Sequence, residues 1–162
     1  MSKVTLMLVA ILILAAVAIA ATPAAGPNST RAEVEATVKA YVEAQNRGDV
    51  YDMMAMVSRR DDVVSISDGE IQRGWQTIRN TNDQIMGKEG THAMAIGNID
   101  VLVLGPRAAV AVAPFTFTVA STQGSVRVPG ATSFVFEKLG DRWYVVHEHT
   151  SITTQEVARG LD

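Results

Sequence analysis

The second half of the chain constrains the fold most. Between His92 and Thr153, four long β-rich runs follow one another with short turns between them. Residues 92–104 alternate into a Val/Leu run and stop at Gly105-Pro106. Residues 108–120 form the second run, residues 126–138 the third after Gln123-Gly124, and residues 142–153 the fourth after Leu139-Gly140-Asp141. Consecutive strands joined by short turns pair antiparallel, so the four runs predict a meander. Pro129-Gly130 interrupts the third run. Proline cannot donate a ladder hydrogen bond, so this dipeptide predicts a bulge or a bend.

The first part reads as helix. Thr30-x-x-Glu33 has the form of a capping box. Val34, Val38, Tyr41, Val42 and Gln45 then follow a 3.6-residue stripe that ends at Asn46-Arg47-Gly48, where glycine can take the left-handed conformation. Asp49 caps a second, short helix over residues 50–57, with Val50, Met53, Met54 and Val57 on its apolar face. A short strand over residues 63–66 meets the hairpin dipeptide Asp68-Gly69. Gly74 opens a third helix carrying Trp75, Ile78, Ile85 and Met86, closed by Gly87 or Gly90. Helices on one face of a curved antiparallel sheet make an α+β fold.

Residues 4–21 are apolar except for Thr5, follow Lys3, end in small residues and are broken by Thr22-Pro23. That is the pattern of a cleaved secretory signal peptide. An uncleaved anchor is the alternative, because the run reaches the lower limit of about 17 residues for spanning a bilayer. Either way the rest of the chain is expected outside the cytoplasm, periplasmic or secreted. The expected organisation is a leader or anchor over residues 1–21, a tether over 22–30, one domain over 31–154 and a tail over 155–162. The chain has no cysteine, so disulfides, thiolate metal sites and cysteine nucleophiles are excluded. A net charge of −3 with no basic run argues against nucleic acid as a partner.

Three segments resemble one family. They are Tyr41-x-x-Ala44 with Arg47-Gly48-Asp49, Gly69-x-x-x-x-Gly74-Trp75-x-x-Ile78-Arg79, and Phe134-Val135-Phe136-Glu137-Lys138 followed by residues 140–151. In this order and spacing they resemble SnoaL-like domains of the nuclear transport factor 2-like superfamily, over residues 31–154. The resemblance implies a cystatin-like cone: three N-terminal helices in a strongly curved sheet, with a pocket open at one end. It also implies either cofactor-free chemistry of the isomerase, dehydratase, cyclase or hydrolase type, or a non-catalytic accessory or protein-interaction role through the outer sheet face. Fold does not choose between them.

The candidate site follows from strand alternation. His147, His149 and Ser151 share the period-2 face of Trp143 and Val145, so both histidines are expected to point into the cone. His149 is the expected acid/base. Asp68 is the second catalytic candidate, because the resemblance places a general base of isomerase-like members near it. Local sequence favours the other reading, the turn residue of an Asp-Gly hairpin facing water. Tyr41, Gln45, Trp75, Phe117, Phe134 and His147 are the expected ligand-binding residues, for a small and mostly apolar molecule. Same-face strand neighbours lie about 7 Å apart, within reach of one metal ion. No spacing marks His92, Asp68 or Glu70 as a third ligand, so neither metal nor cofactor is expected. Many family members carry an arginine where this chain has Ala131, and Arg127, taken to point inward, is too far along to replace it. The Tyr-plus-protonated-carboxyl pair of ketosteroid isomerase is not recognisable in the sequence. On the outer face Val110, Val112, Tyr144 and Val146 would form an apolar patch, which predicts a homodimer through the sheet.

Overall fold

Pro27 and Gly26 set the first helix. In the computed structural model, which describes residues 26–86, 92–121 and 124–153, α1 (Pro27–Asn46) starts with Pro27 in its first turn, where a missing N–H costs nothing. The Thr30 capping box does not form. Gly26 is the N-cap, the Ser29 hydroxyl donates to the Gly26 carbonyl at 2.7 Å, and Thr30 lies buried inside the helix. The helix therefore takes in residues 27–30 of the expected tether. At its other end Gly48 is left-handed at φ 70°, as its position after Asn46-Arg47 predicts. Asp49 caps α2 (Val50–Met54) by accepting from the Asp52 N–H at 2.9 Å. α2 seats Val50, Met53 and Met54 in the core.

β1 (Val64–Ser67) and β2 (Glu70–Arg73) form the hairpin around Asp68-Gly69, where both residues have positive φ. α3 (Trp75–Met86) follows it and buries Ile78. The expected stops at Gly87 and Gly90 lie outside the described residues, as do the leader and the tail. The first long run divides in two, β3 (His92–Ile96) and β4 (Asp100–Gly105), parted at Gly97-Asn98-Ile99. Both lie along β5 (Ala108–Ser121), which is followed by β6 (Gly124–Leu139) and β7 (Arg142–Ile152).

The sheet order is β2-β1-β7-β6-β5-β3, with β4 also on β5. One pairing corrects the all-antiparallel expectation: β1 runs parallel to β7, with Ser65 opposite Glu148. The concave face is apolar. Ala109, Ala111, Ala113 and Phe115 of β5 lie opposite Phe136, Phe134, Thr132 and Gly130 of β6, and all but Gly130 are buried. Val34, Val38 and Tyr41 of α1 complete this core with Trp143 and Val145 of β7. Each large side chain here contributes about 1.5–3 kcal/mol through burial.

The expected bulge at Pro129-Gly130 is absent. The β5–β6 ladder runs in unbroken register from Ala108–Glu137 to Ser121–Gly124. A register shift occurs on β7 instead: Phe136 pairs with Val145, and Val135 with His147, so Val146 is an extra residue. Val145 is tied on its other side, donating to the Met56 carbonyl and accepting from the Ser58 N–H, both at 2.9 Å. β7 thus exchanges one neighbour for another at this point: the Met56–Ser58 loop before the bulge, β1 after it.

Candidate functional site

An extra residue reverses the alternation of a strand beyond it. Trp143 and Val145 face the core as expected. Past Val146, Glu148 lies opposite the buried Phe134, and Thr150 opposite the buried Thr132. His147 and His149 lie opposite Val135 and Ser133, on the other face, together with Val64 and Ile66 of β1. The expectation that both histidines enter the cone is therefore corrected. His149 is exposed, His147 is half-buried, and Ser151 follows them outward. Arg127, taken to be inward, also faces outward, opposite Thr118.

Glu148 takes the place expected of the histidines. It is half-buried on the concave face, and the Tyr41 hydroxyl donates to its Oε2 at 2.9 Å. The buried Tyr41 ring stands edge-on to Phe134, with centroids 5.5 Å apart and planes at 72°. The Thr150 hydroxyl hydrogen-bonds Glu148 as well and lies 3.0 Å from the Thr132 hydroxyl. Burial raises the Glu148 pKa, against the two hydroxyl bonds, which lower it. Burial also lifts the Tyr41 pKa well above the usual phenol value, with the Glu148 charge adding to it. A carboxyl whose pKa is raised, reached by a phenol, can give or take a proton on this apolar sheet face.

The other expected residues scatter. Asp68 is exposed at the hairpin. Its Oδ1 accepts from the Ile152 N–H at 3.1 Å, and its own N–H donates to the Thr150 carbonyl at 3.2 Å. It ties the end of β7 to the turn, as a hairpin residue does, and among the described residues no hydrogen bond joins it to either histidine. Trp75 is half-buried, its Nε1 donates to the Met54 carbonyl at 3.1 Å, and the Arg59 and Arg79 guanidiniums lie 5.0 and 5.6 Å from its ring. Phe117 is half-buried on the concave face between Met94 and Val128. Gln45 is half-buried on α1, one turn beyond Tyr41. Among the described residues, no three His, Cys, Asp or Glu side chains cluster as metal ligands would. A groove of about 410 Å³ lies elsewhere, between α1 and the β6–β7 turn, lined by Glu33, Thr37, Met56, Arg142 and Trp143 among others.

Comparison with known proteins agrees with the architecture. The sequence pattern of the SnoaL-like domain matches residues 34–155, and the chain belongs to that family. It is similar in structure to a nuclear transport factor 2-like superfamily protein from Salmonella enterica serovar Typhimurium, at 22% identity and TM-score 0.71 over 78% of this chain and 93% of that one. It is also similar to a candidate dehydratase of the same superfamily from Streptomyces avermitilis, at 17% identity and TM-score 0.73 over 79% and 99% of the two chains. A protein with a cystatin-like fold from Caulobacter vibrioides aligns over 80% of this chain and 93% of its own length, at 16% identity and TM-score 0.66. At these identities the likeness is one of fold. Among proteins with curated descriptions, none matches the chain.

Proposed function

We propose that this SnoaL-like domain is exported and holds a small, mostly apolar molecule against the concave face of its sheet. Cofactor-free acid–base chemistry of the isomerase, dehydratase, cyclase or hydrolase type is open to it, with Glu148 as the proton-carrying group. The observation that carries the proposal is the Tyr41–Glu148 pair, a titratable couple on a face whose core side chains are mainly apolar. Export rests on the apolar run over residues 4–21 and the break at Thr22-Pro23. The test is native mass spectrometry of the full chain purified from its own host. A bound apolar adduct, absent from a folded Phe117→Asp variant, supports the proposal. A ligand-free protein that also fails to quench or shift with saturating naphthalene overturns it.

A second role rests on the outer face, where Leu102 and Val112 are 61% and 45% exposed. Exposed apolar side chains grouped on one sheet face favour an interface between two copies. The two roles use opposite faces of the sheet and are compatible.

A further inference from the structure

We propose that the domain stays tethered by its apolar run and stands on an anionic lipid bilayer, with the end where α1 begins as the docking surface. The proposal takes the uncleaved form of the export reading and uses an end of the sheet, not either of its faces. Residues 4–21 exceed the roughly 7–15 apolar residues of a leader and reach the range of about 17–25 that spans a bilayer. Lys3 precedes the run and residues 22–30 carry no charge, a bias that leaves the following domain outside. Five residues separate Ala21 from Pro27, the first residue of α1. Fully extended they reach about 20 Å, so the surface around Pro27 is held against the membrane. The helix is 20 residues long and puts Asn46 about 30 Å from Pro27, with α2 beyond it.

The end around Pro27 is both apolar and basic. Pro27 shares a cleft of about 300 Å³ with Leu104 and Pro106 at the β4–β5 turn. The register of β4 on β5 shifts between Val103 and Gly105, and Leu104, the residue between them, is 58% exposed. The same turn is joined to the end of β6: the Lys138 N–H donates to the Arg107 carbonyl at 2.9 Å, and Arg107 Nε donates to the Lys138 carbonyl at 3.1 Å. Leu139, next along, is 41% exposed. Arg31, Arg107 and Arg142 are exposed on the same segments, and the Arg31 guanidinium donates to the Val101 carbonyl of β4. Residues 27–33, 104–107 and 138–142 hold four cations and two acids, in a chain of net charge −3. One of those acids, Glu33, is held by Lys138 at 2.6 Å, which leaves Asp141 against the three arginines. Glu137, just before Lys138, accepts from Arg60 at 2.8 Å. Exposed leucines among arginines suit the boundary between acyl chains and anionic headgroups.

The chain has no cysteine, so a single one can be introduced and labelled. Leu139→Cys marks the proposed surface, and Tyr51→Cys, at an exposed position on α2, marks the far end. Each full-length variant carries a nitrobenzoxadiazole dye and is reconstituted into phosphatidylcholine vesicles with and without phosphatidylglycerol. The dye at Leu139→Cys should shift to the blue in the anionic vesicles and much less in the neutral ones, and the dye at Tyr51→Cys in neither. An arginine near an anionic surface is worth about fivefold in affinity, so Arg107→Gln combined with Arg142→Gln should lower the ratio of docked to undocked domain about twentyfold. A Leu139→Cys dye that reports water in anionic vesicles overturns the proposal, and that measurement needs no charge variant. So does an equal shift at Tyr51→Cys, because the domain would then have no preferred end, or an equal shift in neutral vesicles, because the arginines would then play no part. The intact mass of the chain from its own host separates this proposal from export. Loss of residues 1–21 overturns the tether and leaves export standing, whereas a chain retained in the cytoplasm removes both.

Discussion

Two glutamates respond to pH in opposite directions, and the difference lies in their partners. Glu33 accepts from Lys138 Nζ at 2.6 Å and Trp143 Nε1 at 2.9 Å, and these bonds, Lys138 first, lower its pKa. Its contribution is present at neutral pH and lost as pH falls through the lowered value. Glu148 has its pKa raised by burial above 4.5. The folded state then holds a proton that the unfolded state releases first, so stability falls as pH climbs from the unfolded value to the folded one. Urea melts between about pH 4 and about pH 8 should show that fall in the wild type and a flatter profile in Glu148→Gln. A wild-type profile rising through the same window would mean that Glu148 is stabilised as a carboxylate. Trp143, 5% exposed and bonded to Glu33, should lose about 3–5 kcal/mol on Trp143→Ala, measured by the same melts. A cost under about 1 kcal/mol would contradict its place in the core. The burial of Trp143 was legible from the sequence, because it falls on the apolar face of its strand, whereas Tyr41 and Phe134, expected to bind ligand, are 3% and 2% exposed. The role of Glu148 was not legible, because it depends on a residue inserted two positions before it.

That insertion is the decisive feature at the scale of the element. Alternation counted from Trp143 and Val145 carries His147 and His149 inward, and the count fails at Val146. Nothing local announces the bulge. Val145-Val146 is ordinary strand sequence, and what holds the shift is a loop some ninety residues earlier, where Met56 and Ser58 bond both backbone groups of Val145. The signal that did look like a bulge, Pro129-Gly130, marks a close approach instead. A β-carbon on Gly130 would lie 2.4 Å from Phe115 Cζ and 2.4 Å from the Ser151 carbonyl oxygen. Gly130→Ala should therefore cost about 1–3 kcal/mol by overpacking, seen as a lower midpoint in thermal melts. An unchanged midpoint would mean that both Phe115 and the Ser151 backbone move aside freely. The join of α1 to the sheet rests on Asn46, whose amide donates to the Met94 carbonyl at 3.0 Å and accepts from the Met94 N–H at 2.7 Å. Asn46→Ala should cost about 1 kcal/mol and speed hydrogen exchange at the Met94 amide. Protection that stays as it was would assign that amide another partner.

For the whole molecule, what matters is which face of the sheet is left without helices. The order of helices and strands and the inward set of β5 were legible, because local periodicity specifies both. The parallel β1–β7 pairing was not, since it joins segments about eighty residues apart with no local mark on either. That pairing widens the outer face. One row across it runs Leu102, Val110, Val135, His147 and Val64, and the next runs Asp100, Val112, Ser133, His149 and Ile66. Aliphatic side chains occupy most of these positions, and the exposed Ile71 extends the second row onto β2. A solvated sheet face would instead alternate to polar residues. The arrangement predicts a two-fold dimer with sheet against sheet, in which Leu102 and Val112 meet the partner's surface. Val146, displaced from the alternation by the bulge, is a poor site for testing it. Leu102→Glu combined with Val112→Glu places two charges on each copy where apolar contact is expected. The double variant should run as a folded monomer in light scattering while the wild type runs as a dimer. Its circular dichroism should be unchanged, because both side chains already face outward and unfolding gains nothing from their charge. A double variant that stays dimeric and folded would put the interface on another surface, and a monomeric wild type would leave the outer face free for a different protein.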